Sequence, residues 1–201
     1  MTTRQFWDQR FAEEGYRFGT EPIEFLAEQA PRLTPGGRAL ALADGEGRNG
    51  VWLAEQGMHV LSLDISENAL AKGRALAAER GVDLDTQCID ANDWAWPTTA
   101  FDLVVSIYFH PAPDDRRRLH AAIIAALKPG GLFILEAFSK NQIDYGTGGP
   151  SDPDRLYSAA DLTEDFATTE IDVLTEKVVR RRGGRFPGQP AAITRLIARK
   201  P

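Results

Sequence analysis

The sequence is poor in cysteine, in positive charge and in long apolar runs, and each shortage disfavours a class of protein. Cys88 is the one cysteine among 201 residues, so no disulfide can form within the chain, which fits a reducing compartment. Acidic residues outnumber basic ones by 29 to 23 and give a formal net charge of −6, which disfavours nucleic acid and anionic membranes as partners. The first 16 residues lack the apolar segment of a signal peptide, and no later stretch has the length of a transmembrane helix. We therefore expect a cytoplasmic protein that acts on a small molecule. The sequence leaves open whether it is a monomer or a homodimer.

Strand and helix patterns alternate along the chain from residue 38 onward, which predicts an α/β fold with a parallel sheet. Short apolar runs predict strands at Arg38–Ala43, His59–Leu63, Val82–Ile89, Phe101–Ile107 and residues 132–138. The helices between them are predicted at Asn49–Gln56, from a Ser66 cap to Arg80 with Gly81 past its end, and from Pro113 to Leu127. Two β-like stretches, Thr168–Val179 and Ala191–Ala198, predict an antiparallel pair at the end of the chain.

The length and composition predict one domain with three regions. Residues 1–33 carry two predicted helices, Arg4–Glu14 and Pro22–Ala30, with Pro22 in a first helical turn. Residues 38–138 form the βα core. Residues 139–201 begin with a loop over Ser139–Tyr157 that is rich in Gly, Pro and Asp, and continue with a short helix after a Ser158 cap and the terminal strands. The expected architecture is a doubly wound, mostly parallel, seven-stranded sheet.

The loop after the first strand, "LALADGEGRNG", matches G-x-G-x-x-G at Gly45, Gly47 and Gly50. Asp64 ends the second strand, where a dinucleotide-binding fold places the acid that binds a ribose hydroxyl. Glycine spacing and this acid fit NAD or NADP. They fit equally well any other ligand that contains adenosine.

The charge of the loop distinguishes these ligands better than its glycines do. Asp44 and Glu46 stand where a dinucleotide site would hold a pyrophosphate, and each would oppose that anion by roughly a kcal/mol or more at an effective dielectric near 20. Arg48 would offset part of this repulsion. S-adenosylmethionine keeps the adenosine and replaces the pyrophosphate with a cationic methionine, so the acidic loop favours it.

Several segments together also resemble a known family. The stretch from "ALADGEGRNG" to "LDISENAL", followed by "DAND", "FDLVVSIYFH", "LKPGGLFILEAF" and "TGGP", is similar to class I S-adenosylmethionine-dependent methyltransferases, in the branch of tellurite-resistance and thiopurine methyltransferases. The N-terminal "FWDQRF" and "YRFGTEPIEFL" resemble the same branch, so the likeness covers nearly the whole chain. It implies the Rossmann-like methyltransferase fold with its terminal antiparallel strands.

The resemblance also implies a set of site residues. Asp64 would accept the ribose hydroxyls, Ile65 would pack on the adenine, and Asp90 with Ala91 would meet the adenine edge. Ser106 and Ile107 would lie below the sulfonium, at the carboxyl end of the fourth strand. Gly45, Glu46 and Gly47 are expected to line the methionine part of the cofactor, and Asn49 is a further expected cofactor-binding residue. No metal ligand is assigned.

The first motif departs from the family pattern at two positions. Ala41 stands where the pattern has an acid, and Ala43 stands where it has a glycine. The usual partner of the cofactor ammonium is therefore missing, and Asp44 or Glu46 is expected to replace it.

His110 and Tyr108 follow the fourth strand and are the candidates for an acid/base or acceptor-orienting role. A purely structural role for both stays open. The aromatic residues of the N-terminal region are expected either to pack in the core or to form a lid over the cofactor: Trp7, Phe11, Tyr16 and Phe18.

The expected activity is methyl transfer to a small nucleophile such as a thiol or a metalloid oxyanion. The alternatives are an NAD(P)-dependent oxidoreductase and a module that binds S-adenosylmethionine without turnover.

Overall fold

A computed structural model describes residues 1–181 and 187–201 of the chain. These residues divide into two compact units, Met1–Ala95 and Trp96–Pro201. The seven strands form a mostly parallel α/β sheet, in which the last strand of the chain pairs antiparallel with both of its neighbours. The fold class expected from the sequence is therefore confirmed.

The first unit contains three parallel strands in the order β3-β2-β1. The strands are β1 (Arg38–Leu42), β2 (His59–Asp64) and β3 (Asp85–Cys88), and the helices are α1 (Thr3–Phe11), α2 (Glu24–Ala27), α3 (Arg48–Glu55) and α4 (Glu67–Arg80). The last four residues of β1 are apolar, and all four are buried. This unit carries the glycine loop, between β1 and α3.

The ends of α4 agree with the sequence prediction. The Ser66 hydroxyl accepts a hydrogen bond from the Ala69 N–H at 3.2 Å, and so satisfies one of the free donors of the first turn. Gly81 ends the helix in the left-handed conformation at φ +69°. The helix therefore starts soon after β2 ends at Asp64, so Asp64 lies at the junction of a strand and a helix N-terminus.

The second unit contains four strands in the order β4-β5-β7-β6. The strands are β4 (Phe101–Ile107), β5 (Leu127–Phe138), β6 (Glu170–Arg180) and β7 (Pro190–Arg199), and the helices are α5 (Pro113–Ala126) and α6 (Ala159–Asp165). Strands β4 and β5 are parallel, whereas β7 pairs antiparallel with both β5 and β6. Ser158 caps α6 as predicted, since its hydroxyl accepts from the Asp161 N–H.

Some predicted elements differ in extent from the observed ones. Pro22 does not open a helix, because α2 begins at Glu24 after the Ile23 cap and spans only four residues. The segment Ser139–Tyr157 is not wholly irregular, because it contains two 3-10 helices, Lys140–Tyr145 and Pro153–Arg155. Among the described residues, no helix is long and apolar enough to cross a membrane.

Candidate functional site

The glycine loop of the first unit turns through three left-handed positions that alternate with ordinary ones. Ala43, Gly45 and Gly47 have φ angles of +51°, +61° and +86°. A Cβ at Gly47 would lie 2.7 Å from the Cα of Gly73, so the loop and α4 meet backbone to backbone. A Cβ at Gly50 would collide with the Asp44 carboxylate. Gly47 and Gly50 therefore serve the packing of the loop.

Asp64 joins the glycine loop to the start of α4. Its Oδ2 accepts a hydrogen bond from the Gly45 N–H at 2.8 Å, and its Oδ1 accepts one from the Ser66 N–H at 2.9 Å. The side chain is buried, and burial raises the pKa of this carboxyl from 3.8 to about 6, with the nearby Asp44 adding a smaller rise. A buried acid that has no salt bridge partner among the described residues is costly, which points to a ligand-binding role.

The acceptor capacity of Asp64 fits a ribose. Each carboxylate oxygen can accept two hydrogen bonds. The Asp64 oxygens accept from the Gly45 and Ser66 N–H groups, and the Ile65 N–H also contributes a hydrogen bond to this carboxylate. Acceptor capacity for a ribose hydroxyl is left. Ile65 follows directly and is half-buried.

Asp90 and Ala91 follow β3, as the sequence predicted. Asp90 Oδ1 accepts from the Asn92 N–H at 2.9 Å, and its carbonyl accepts from the Asp93 N–H at 3.0 Å, so Asp90 opens a turn. Ala91 is buried. The turn explains the conformation of Asp90, and its contact with an adenine stays a prediction.

The two acids of the loop both have partners within the first unit. The Asp44 carboxylate accepts from the Gly50 N–H at 3.2 Å and from the Ser62 hydroxyl at 2.9 Å, and burial raises its pKa. Glu46 is 4% exposed, forms a 3.0 Å ion pair with Lys72 and accepts from the Phe18 N–H at 3.3 Å. The ammonium contact expected of one of them therefore stays a prediction. In this structure both acids also bind the loop to other parts of the first unit.

The N-terminal segment packs directly on the glycine loop. The Phe11 ring lies where a Cβ on Gly45 would contact it at 3.4 Å, and Phe11 itself is buried. Asn49 Oδ1 accepts from the Ile23 N–H at 3.1 Å, so Asn49 holds this segment in place. Lys72 donates to the carbonyls of Glu13 and Gly15, both at 2.6 Å. The segment thus covers the loop, and its function as a lid stays a prediction.

The second unit carries the remaining site residues, at the carboxyl end of β4. Ser106 and Ile107 are buried within the strand. Tyr108 follows at φ +55°, a strained conformation for a bulky side chain. Its hydroxyl donates to Glu136 Oε1 at 2.9 Å, and Arg195 Nε donates to Glu136 Oε2 at 2.7 Å. Tyr108 is therefore fixed by a buried ion pair.

His110 uses both ring nitrogens within the second unit. Nδ1 lies 3.0 Å from the Arg155 carbonyl oxygen, which can only accept, so Nδ1 carries the hydrogen. Nε2 accepts from the Phe138 N–H at 3.4 Å, and the two rings stack with centroids 5.7 Å apart. Burial lowers the pKa of His110 to about 4. It is a neutral, weakly basic imidazole at pH 7, and a catalytic role for it stays a prediction.

Several residues of these networks were missed by sequence reasoning. Ser62, Lys72, Glu136 and Arg195 all make contacts described above, and none was named as a site residue from the sequence. A signal existed for two of them, because Glu136 and Arg195 are single charges within the apolar runs "LFILEAF" and "AAITRLIA". Charges are rarely buried unless they are paired, and this could have suggested a pair across neighbouring strands.

Comparison with known proteins supports a methyltransferase domain. Residues 39–131 match the family model described as "Methyltransferase domain". A ubiquinone biosynthesis O-methyltransferase from Idiomarina loihiensis is 31% identical over 53% of this chain and 44% of its own length. The chain spans about half the length of the curated relatives it matches.

Solved structures confirm the fold at low sequence identity. The crystal structure of an S-adenosylmethionine-dependent methyltransferase from Methanosarcina mazei superposes with a TM-score of 0.70 and 18% identity, and covers 90% of this chain and 98% of that one. TehB from Haemophilus influenzae superposes with a TM-score of 0.72 and 19% identity, and covers 98% of this chain and 67% of that one. At these identities the likeness establishes the Rossmann-like methyltransferase architecture.

Proposed function

We propose that this chain, whose residues 39–131 match a methyltransferase domain model, is an enzyme that transfers a methyl group from S-adenosylmethionine to a small-molecule nucleophile. The fold and the family match support the class of reaction and the cofactor. The similarity to a ubiquinone biosynthesis O-methyltransferase favours a hydroxyl acceptor. Thiols and metalloid oxyanions are the other acceptors expected from the sequence.

The observation that carries the proposal is the buried Asp64 carboxylate. It connects the Gly45 N–H with the N-terminus of α4 and, with a third backbone hydrogen bond from Ile65, keeps acceptor capacity for a ligand hydroxyl. No cation pairs with Asp64 among the described contacts, and burial raises its pKa to about 6. A ligand hydroxyl that donates to this carboxylate would offset part of this cost.

The roles of the chain in the reaction are binding and alignment. Asp64 holds the ribose, and the tight loop at Gly45 and Gly47 brings backbone close to the ligand. When bound, S-adenosylmethionine supplies an electrophilic methyl group on a sulfonium, which is already a good leaving group. Rate enhancement then comes mainly from orientation in a water-poor pocket. The N-terminal segment would exclude water on the loop side, and Tyr108 would orient the acceptor.

Two rival functions make different predictions. A dinucleotide-dependent oxidoreductase needs the loop to accept a pyrophosphate, but Asp44 and Glu46 are acids, and Arg48 donates to the Phe18 carbonyl at 3.1 Å. A module that binds the cofactor without turnover would share every feature of Asp64. Turnover alone separates this second rival from an enzyme.

Calorimetric titration tests the cofactor assignment. S-adenosylhomocysteine, NAD and NADP are titrated into the wild type, Asp64→Ala and the control Asp85→Ala, which changes an exposed acid at the start of β3. We expect micromolar binding of S-adenosylhomocysteine only, lost in Asp64→Ala and kept in Asp85→Ala. Binding of NAD or NADP in its place would overturn the proposal. Methyl transfer to a panel of thiols and phenols then separates an enzyme from a binding module.

We also propose that the chain is related to the tellurite-resistance and thiopurine methyltransferases and that it is located in the cytoplasm. We expect it to be a monomer or a homodimer. The structural likeness to TehB is compatible with that relationship.

A further inference from the structure

Strand β6 forms one end of the sheet, and its outer edge is long and exposed. The strand spans eleven residues and, among residues 1–181 and 187–201, pairs only with β7. The N–H and C=O groups along such an edge can pair with another extended chain. Residues 175–178 are all exposed, so this stretch is the accessible part of the edge.

The two halves of this edge differ in how well they are protected from pairing. The register against β7 shifts between Ile171 and Val173, and a bulge of this kind disrupts a ladder and protects an edge. From Val173 to Arg180 the strand is regular. This second half also carries Val178, an apolar side chain that is 54% exposed. The second half therefore has the features of a strand that can accept a partner.

Charges of opposite sign flank Val178 on one face of β6. Glu176, Val178 and Arg180 alternate along the strand, so their side chains share a face, and all three are exposed. The Glu176 carboxylate accepts from the Ala159 N–H at 2.6 Å, and Arg180 Nη1 donates to the Gly188 carbonyl at 3.1 Å. A carboxylate can accept about four hydrogen bonds and a guanidinium can donate about five, so both groups keep capacity for a further partner.

This order of side chains is complementary to itself in an antiparallel arrangement. With Val178 on a two-fold axis, the two valines lie opposite each other, and each Glu176 lies opposite the Arg180 of the other copy. Opposite residues of an antiparallel pair have Cβ atoms about 4.5–5.5 Å apart, which is within reach of an ion pair. Lys177 then lies opposite Val179, so like charges do not meet.

Neighbouring registers of the same edge are less favourable. Opposite residues of an antiparallel ladder share a face, so a symmetric pair has one residue on the axis, opposite its own copy. Glu176 or Lys177 at this place would put like charges opposite each other, which is destabilising. Thr175 on the axis would bring the bulge near the start of β6 into the paired stretch. Val178 is therefore the favoured centre.

We propose that this chain forms a symmetric homodimer through the outer edge of β6, with Val178 on the two-fold axis and two reciprocal ion pairs between Glu176 and Arg180. The two copies share one continuous sheet, and each copy uses its edge once, so assembly stops at the dimer. The paired stretch is short, which places the interface at the small end of the range for protein pairs and makes association weak and reversible. The inference does not depend on the proposed methyl transfer.

Sedimentation velocity over a wide range of protein concentration tests this dimer. For the wild type between about 1 and 500 μM, we expect a monomer–dimer equilibrium with a dissociation constant of about 10–100 μM. Glu176→Arg and Arg180→Glu should each weaken association at least about tenfold, because two like-charge contacts replace two ion pairs. The control Asp83→Arg makes the same change of net charge as Glu176→Arg at an exposed position between α4 and β3, and should keep the wild-type dissociation constant.

A mixture of the two single variants distinguishes this edge from any other surface. In a mixed pair, the variant with two arginines meets the variant with two glutamates, so both cross-strand contacts again join opposite charges. Equimolar mixing should therefore restore association to within about threefold of the wild type. Restored association also shows that both variants are folded, since an unfolded chain has no strand edge to offer.

The inference is overturned by a wild type that stays monomeric over the whole concentration range. A dimer whose dissociation constant is the same in both single variants would place the interface elsewhere on the molecule and overturn it as well. So would a mixture that associates no better than its components. Polymers larger than a dimer would contradict the closed two-fold arrangement.

Discussion

The buried Asp64 carboxylate should make the stability of the protein depend on pH in a defined way. Its pKa is raised from 3.8 to about 6 in the folded state, which amounts to about 3 kcal/mol in total at about 1.4 kcal/mol per pKa unit. Because the folded-state pKa is the higher one, Asp64 stabilises the fold fully below pH about 4, and this contribution is lost as the pH rises through about 6. Between about pH 4.5 and 7.5 the loss is about 2 kcal/mol.

Asp64→Asn removes this titration and keeps the shape of the side chain. The amide oxygen can accept only one of the two N–H groups that the carboxylate holds, from Gly45 and from Ser66. This cost does not change with pH, so the informative quantity is the difference in unfolding free energy between wild type and variant at each pH. Urea denaturation at several pH values gives this difference.

We expect the variant to gain about 2 kcal/mol relative to wild type as the pH rises from about 4.5 to 7.5. Asp85→Asn, at an exposed position in β3, is the matched control and should show a constant difference. A difference for Asp64→Asn that is constant within about 0.5 kcal/mol would refute the reasoning, since additivity errors are of that size. Other titrating groups are common to both proteins and cancel to this accuracy.

Three further predictions concern the loop, its cover and the second unit. Lys72→Ala removes contacts to Glu46 and to two carbonyls of the N-terminal segment, so limited proteolysis of residues 12–22 should accelerate at least several-fold. The control Lys128→Ala breaks a surface ion pair with Asp102 and should leave the rate unchanged. Equal rates in both variants would contradict the role of Lys72. Ala43→Gly relieves the backbone strain of an alanine at φ +51°. The unfolding free energy should rise by about 0.5–1 kcal/mol, which is the strain relieved minus the entropy that glycine adds to the unfolded chain. A loss of stability in urea denaturation would argue against strain at this position. The pKa of His110 is lowered to about 4, so its ring proton resonances in NMR should not titrate between about pH 5.5 and 8. A midpoint near 6.5, the value for an unperturbed histidine, would show that the ring is not withdrawn from water.

Local patterns predicted the parts of the fold that depend on neighbouring residues. The Ser66 cap, the Gly81 end of α4 and the bounds of β4 agree with the structure, because capping and strand periodicity are properties of short segments. The α2 prediction was less accurate: a proline at a first helical turn is only a weak signal, and the observed helix begins two residues later. In the segment 139–157, the first 3-10 helix contains Gln142, whose side-chain oxygen accepts from the Ala192 N–H fifty residues away, a contact that no local pattern specifies.

The candidate site likewise has contacts that the sequence predicts and contacts that it does not. The spacing of Gly45 and Asp64 in the sequence predicts that they lie close together, since the first two strands of a βαβ unit end side by side, and the 2.8 Å hydrogen bond between them agrees with this. The partners of the loop acids were not predictable. Glu46 pairs with a lysine 26 residues further along the chain, because α4 packs its Gly73 against Gly47.

The sequence by itself determined the alternation of strands and helices, the tight acidic loop and the acid at the end of β2, all of which follow from local propensity, periodicity and spacing. Tertiary structure decided which charges meet. Glu136 and Arg195 are 59 residues apart, and only the antiparallel register of β5 and β7 brings them together and orients the Tyr108 hydroxyl. A register shift of one residue would turn either side chain to the other face of the sheet, and no local pattern specifies that alignment.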